Sequence, residues 1–376
     1  MGKVTTGSHL LLHRQRIRAP GQDLVKEYRQ RLNLKIGLFL GLLGLLGVLI
    51  VTAIAVGSFH IPIRDILRVL FGLEHGPQGI VIWNLRMPRI AAAIATGCGL
   101  GLSGMAIQCL LRNPLASPFT LGISQGAAFG AAFSIVLIGT GATQQGILGA
   151  LEANTAFVYN IYTTTLFAFV GSITATIIIL VLARLRKMSP EAIVLAGIAL
   201  SSLFTSGTIL IQYFATEKEI AQVVFWTFGD VSRSGWSEII ILSMTTIGAI
   251  IYFSFNRWNL NAIVAGEDTA RSLGVEIQSL RLVGMFAAAL VAALATAFHG
   301  VIAFLGLLAP HIAQRIVGTD YRFLIPFSCL IGSLLLLAAD IAGRIMVGSG
   351  TLPVGVLTSF MGAPLFLYLL IKGLRR

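Results

Sequence analysis

The chain has 376 residues, of which 56% are apolar and only 11% charged, against about 25% charged in soluble domains. So few polar side chains cannot clothe a water-facing surface, which excludes a soluble globular domain and leaves lipid to cover much of the molecule. The formal charge of +12 does not mark a nucleic-acid binder, because the basic residues fall between apolar runs rather than in one patch.

Taken in chain order, residues 1–33 form a basic leader, and 34–57 is the first of ten apolar runs. A cleaved signal is the rival reading, since Ala53-Ile54-Ala55 follows a basic leader. A signal's apolar core is about 7–15 residues, however, and this run is longer. The remaining runs are 88–111, 122–139, 163–183, 192–213, 238–255, 280–298, 301–317, 323–346 and 353–371. Each approaches the roughly 20 residues a helix needs to cross the hydrocarbon. The expected fold is therefore an all-α, polytopic integral membrane protein with about ten transmembrane helices occupying 34–376. Twenty of the 27 basic residues fall on the side that holds both termini, and seven on the other. Basic loops stay cytoplasmic, so both termini are expected in the cytoplasm. Arg64, Arg68, Arg86 and Arg89 crowd one outer loop against this rule.

Glycines at Gly37/Gly41, Gly97/Gly101 and Gly122/Gly126/Gly130 have the small-xxx-small spacing that lets membrane helices approach closely. Ile63, Ile66, Leu67 and Leu70 share one helical face beside Arg64, Asp65 and Arg68, a pattern for a short interfacial helix. The segment 221–236 carries Phe225, Trp226, Phe228 and Trp236, as an aromatic belt or the lining of an entrance. Residues 256–279 form the largest cytoplasmic loop between spans, polar and long enough for two short helices, where a separate motor would grip. Asp340 and Arg344 are spaced to pair on one helix face. His311 reads as a structural histidine, and Cys98, Cys109 and Cys329 as apolar packing residues without metal-ligand spacing. No GxxxxGK[ST] phosphate loop and no catalytic constellation occurs. An enzyme would need such a constellation, so the expectation is a chain that is not an enzyme and has no cofactor or metal of its own.

An ordered set of motifs then carries a resemblance. Arg86-Met87-Pro88-Arg89, Gln108, Arg112-Asn113-Pro114-Leu115-Ala116 and Leu121-Gly122-Ile123-Ser124-Gln125-Gly126-Ala127 come first. Leu195-Ala196-Gly197, Phe304-Leu305-Gly306-Leu307, Pro310-His311-Ile312, Leu352-Pro353-Val354-Gly355 and Gly362-Ala363-Pro364 follow. Together they resemble the permease family of ATP-driven importers for iron siderophores, haem and cobalamin, over residues 58 to 371. The resemblance implies ten spans per subunit, a homodimer in the cell (inner) membrane, and two copies of a separate ATPase that carries the ATP and Mg. It also implies a periplasmic or lipid-anchored substrate-binding protein. It assigns docking of that protein to Arg86, Arg89 and Arg344, and ATPase coupling to Gly266, Glu267, Ala270, Arg271, Leu273 and Gly274. It assigns the cytoplasmic gate to Asn113 and Leu115 and, by gapless alignment back from Gly197, to Pro190 and Glu191. The cobalamin permease has small hydroxyl residues at that last place, so the departure weakens cobalamin and leaves ferric siderophore the first expectation. An ion-gradient-driven secondary transporter is the alternative, and Asp340 is its one acidic candidate well inside a span.

Overall fold

The computed structural model describes residues 20–57, 68–69, 76–139, 153–186, 189–347 and 351–373, and among them every regular element is a helix. The chain divides into two compact units, Met1–Gly41 and Leu42–Arg376. Helix α1 (Pro20–Ala55) begins within the stretch expected as a leader. Its part in the first unit carries a Glu27–Arg31 pair at 2.6 Å. The expected interfacial helix after α1 lies outside the described residues, save Arg68 and Val69.

In the second unit a π-helical turn (Val81–Arg86) leads into α2 (Met87–Leu110), with Pro88 in its first turn, where a missing N–H costs nothing. Then come α3 (Ile123–Phe133), α4 (Ala153–Arg186), α5 (Pro190–Tyr213) and the short amphipathic α6 (Glu217–Thr227). Next are α7 (Trp236–Phe255), α8 (Arg257–Ala265), α9 (Glu267–Ser272) and α10 (Ile277–His299). The last three are α11 (Leu305–Val317), α12 (Tyr321–Met346) and α13 (Val354–Gly373).

A helix lies at each of the ten expected spans, and among the described residues seven are long and apolar enough to cross a membrane. The helical stretches Ile123–Ile138 and Val354–Tyr368 are shorter. The run expected as one span over 301–317 is a 13-residue half-helix, about 20 Å long against roughly 30 Å of hydrocarbon. Phe304 has φ 63° and Gly300 has φ 77°, so the chain enters α11 through an irregular segment. Gly229 and Gly355 both abut the Val301 carbonyl, and Gly355 N–H donates to the Gly229 carbonyl at 3.3 Å. Irregular backbone inside a membrane protein is tolerated where protein surrounds it, as here.

Helix α2 is buried at every residue from 99 to 110 and packs on α7, α10, α11 and α12. A helix apolar all round with no exposed face belongs at the centre of a bundle. Glycines make the approach possible. A Cβ at Gly97 would overlap the Gly332 carbonyl of α12, one at Gly101 the Ser328 carbonyl, and one at Gly104 the Gly306 carbonyl of α11. Pro310 lies four residues after Gly306 inside α11 and has no N–H to give that carbonyl, which instead lies against Gly104. Gly126 and Gly130 of α3 meet α4 at Gly171 and Phe167 in the same way. Gly37 and Gly41 do not follow the expected pattern: a Cβ there meets nothing within 4 Å. They lie on a helix whose large apolar side chains, Leu34, Leu38 and Leu40 among them, are exposed.

Substitutions separate the two kinds of glycine. Gly101→Ala should lower the melting temperature of the detergent-solubilised protein, overpacking costing about 1–3 kcal/mol. Gly44→Ala, also with nothing within 4 Å, should leave it unchanged or raise it, by up to about 1 kcal/mol of helix propensity. Equal effects at the two sites would dissolve the distinction.

Candidate functional site

The two ends of α2 carry the charged groups. At its N-terminal end three arginines and one aspartate form a cluster. Asp340 of α12 is 1% exposed, Arg86 6% and Arg344 9%. Arg89 Nε donates to Asp340 Oδ1 at 2.8 Å. Arg344, one helical turn after Asp340, approaches Asp340 Oδ2 at 2.9 Å as an ion pair without hydrogen-bond alignment. Arg86 Nη1 donates to the Ile54 carbonyl and, at 3.3 Å, to that of Ala55. Arg344 Nη1 donates to the carbonyls of Ala53 at 2.8 Å and Val56 at 3.2 Å. Those carbonyls end α1 and have no partner along the helix, and they form the negative end of its dipole. Two guanidinium groups therefore cap α1, and Gly57 leaves room for Arg86 to reach it. The i, i+4 pairing of Asp340 with Arg344 holds as expected. Arg86 turns to α1 and Arg89 to α12, although an i, i+3 spacing would let both lean to one side.

At the C-terminal end of α2 the chain turns through Arg112, whose φ of 45° is rare for a non-glycine residue. Asn113 Oδ1 accepts from Leu115 N–H at 2.9 Å, and the Asn113 carbonyl accepts from Ala116 N–H at 3.1 Å. This side-chain turn holds Leu115 outward, 46% exposed. Ser189 caps α5, Pro190 fills its first position and Glu191 its first turn. The Ser189 hydroxyl holds the Glu191 carboxyl below its ordinary value, with smaller attractions from Arg112 and Arg281.

The expected coupling segment folds as the two short helices α8 and α9. Gly266 (φ 135°) separates them and Gly274 (φ 81°) ends the second, conformations in which a side chain would be strained. Ala270 is fully buried while Leu273 is 68% exposed. Asn261 of α8 accepts from Tyr321 N–H at 3.1 Å and donates to Asp320 at 3.4 Å, which ties α8 to the start of α12. Glu267 of α9 takes Arg281 Nη2 at 2.6 Å and lies 3.7 Å from Arg271. Arg281 Nε also donates to the Leu110 carbonyl at 3.0 Å, the last residue of α2. Sequence reasoning missed Arg281, whose partners lie 14 residues behind it and 171 before it.

Other polar groups are structural. His299 Nδ1 lies 3.0 Å from Thr96 Oγ1 and 3.2 Å from the Ala295 carbonyl, joining α10 to α2. His311 meets Phe366 edge-on. Arg233 caps α6 through the Phe225 and Trp226 carbonyls, while Phe225 and Trp236 stay exposed. Among the described residues no group of His, Cys, Asp or Glu side chains could hold a metal ion.

The cluster at Asp340 predicts an order of effects. Asp340→Asn leaves two guanidinium groups facing each other and should cost about 3–5 kcal/mol, as when one partner of a buried pair is removed. Arg89→Gln should cost less, because Arg344 still neutralises Asp340. Melting temperatures in detergent measure both, and a larger loss at Arg89 would overturn the ranking.

Residues 45–372 match the model of the FecCD transport family. An ABC transporter permease protein of Methanocaldococcus jannaschii is 47% identical, over 94% of this chain and 99% of that one. The haemin transport system permease protein of Yersinia pestis is 33% identical over 88% of this chain and 95% of its own length. The vitamin B12 import system permease of Vibrio cholerae is 32% identical over 78% and 83%. A solved metal-chelate type ABC transporter in an inward-facing conformation superposes with a TM-score of 0.74 and 26% identity, covering 90% of this chain and 99% of that one. A motif series in family order, a helical bundle of this topology and a family match across most of the chain agree: the protein belongs to the FecCD transport family, the membrane permease subunits of ABC importers.

Proposed function

We propose that this chain moves an iron chelate, a ferric siderophore foremost, into the cytoplasm by alternating access, with haem and corrinoids as the neighbouring substrates. The observation that carries the reading is the relatedness to haemin, vitamin B12 and Fe(3+)-citrate permeases over most of the chain's length. The chain works as a homodimer with both termini in the cytoplasm. Two ATPase subunits grip α8 and α9 around the exposed Leu273 and Arg271, and ATP binding biases the permease between states that hold the motor differently. Asn113, Leu115, Pro190 and Glu191 form the cytoplasmic gate. The binding protein docks at Arg86, Arg89 and Arg344. Their guanidinium groups already hold Asp340 and the end of α1, so an acidic knob competes first for Arg89, the most exposed of the three. Asp340, neutralised by two arginines, lends no support to a free carboxylate driving ion-coupled transport.

Two measurements test this. Lys218→Cys should react with a membrane-impermeant maleimide in intact cells, and Leu273→Cys only after permeabilisation; the reverse pattern would invert the topology. Cells carrying the permease with its ATPase and binding protein should concentrate a ferric siderophore. Uptake that survives ATP depletion and collapses with a protonophore would refute the importer reading.

A further inference from the structure

One side chain joins three elements at the C-terminal end of α2. Arg281, in the first turns of α10, is largely enclosed, its side chain 14% exposed, and its pair Glu267 is 26% exposed. Its Nη2 bonds the Glu267 carboxylate on α9 at 2.6 Å, and its Nε bonds the Leu110 carbonyl at the end of α2 at 3.0 Å. Both acceptors sit where helix electrostatics favour them. Glu267 opens α9, where a helix stabilises negative charge, and Leu110 closes α2, where its dipole attracts a cation. Only arginine carries donors on a rigid planar fork that can serve two such acceptors at once. One turn further along α10, a Cβ at Gly284 would press on the Leu110 side chain, so the same face of α10 meets α2 twice. Leu110 is followed directly by the turn through Arg112, Asn113 and Leu115.

We propose that Arg281 is a positioning residue that transmits movement of α9 to the turn at the end of α2, and thereby to the gate. The inference rests on the importer reading and deepens it. A displacement of α9 carries Glu267, which carries the guanidinium, which pulls on the Leu110 carbonyl. Without Arg281, α9 keeps its own turn through Gly266 and Gly274, and the ATPase keeps its footing on Leu273 and Arg271, but the gate turn is no longer tied to either.

The test uses the full chain in complex with its ATPase subunit in liposomes, with Leu115→Cys as reporter on the gate turn. Its labelling rate by a maleimide is compared without nucleotide and with ATP plus vanadate. With Arg281 present the two rates should differ several-fold. With Arg281→Gln the ratio should fall to unity while the ATPase still co-purifies. Glu267→Gln, which removes the ion pair and spares the bond to Leu110, should give an intermediate ratio. Arg281→Lys should restore only part of the response, because the charge returns without the fork. An undiminished ratio in Arg281→Gln overturns the proposal. So does loss of ATPase co-purification in that variant, which would make Arg281 a support for the docking surface instead. A reporter that ignores nucleotide even with Arg281 present would count against the importer reading itself.

Discussion

The close approach of α2 to α11 and α12 is the constraint on which the rest depends. In lipid no hydrophobic force drives one apolar helix onto another, so association rests on packing and on polar contacts across the interface. Gly97, Gly101 and Gly104 bring the α2 backbone against the carbonyls of Gly332, Ser328 and Gly306. At such distances a glycine Cα–H can meet a carbonyl oxygen, a weak contact that recurs between membrane helices. Ser103 adds a bond to the Ala288 carbonyl of α10 at 2.7 Å, and Ser333 of α12 adds one to the Ile94 carbonyl of α2 at 2.9 Å. The result is a central helix held on several sides by its backbone. Interfaces of this kind pack in discrete arrangements rather than deforming continuously.

The charges at the other end obey a different economy. A carboxylate and three guanidinium groups away from bulk water are costly unless each finds a partner. Asp340 balances two of the arginines, and the end of α1 supplies further acceptors to Arg86 and Arg344. This arrangement explains why positive charge can accumulate at an expected outer mouth. The arginines are held by the permease itself, and an acidic partner would have to outcompete Asp340 and the α1 carbonyls. Docking and opening would then be linked, because freeing Arg86 or Arg344 uncaps α1.

Much of this was legible in the sequence wherever the information was local. Runs of apolar residues gave the ten helices, the i, i+4 spacing gave the pair at Asp340, and the polar loop gave α8 and α9. Small-residue spacing was half informative: it found the seam at Gly97 and Gly101 but also pointed to Gly37 and Gly41, where a Cβ meets nothing within 4 Å among the described residues. Spacing says which glycines share a face and not what the face meets. The half-helix α11 was hidden because Val301, Ile302 and Ala303 are as apolar as a span, yet the backbone runs irregularly from Gly300 (φ 77°) to Phe304 (φ 63°). Arg281 was invisible because both of its acceptors are distant in sequence, and one is a backbone carbonyl that no side-chain pattern can reveal.

Those distant contacts matter for how a motor outside the membrane can reach a gate. Helix α8 is bound to the start of α12 through Asn261, and α9 to the end of α2 through Arg281. Helices α2 and α12 are in turn locked together along their glycine seam. The segment α8–α9 is thus fastened at two points to the same pair of helices. On the proposed reading, a push at α8 and α9 alike would reach the α2–α12 pair together. That pair carries the turn through Asn113 and Leu115 at one end and the Asp340 cluster at the other. On the proposed reading, a single rigid element faces the ATPase at one end and the binding protein at the other. Alternating access needs such an element, since each state must be distinguished by partners on opposite sides of the membrane.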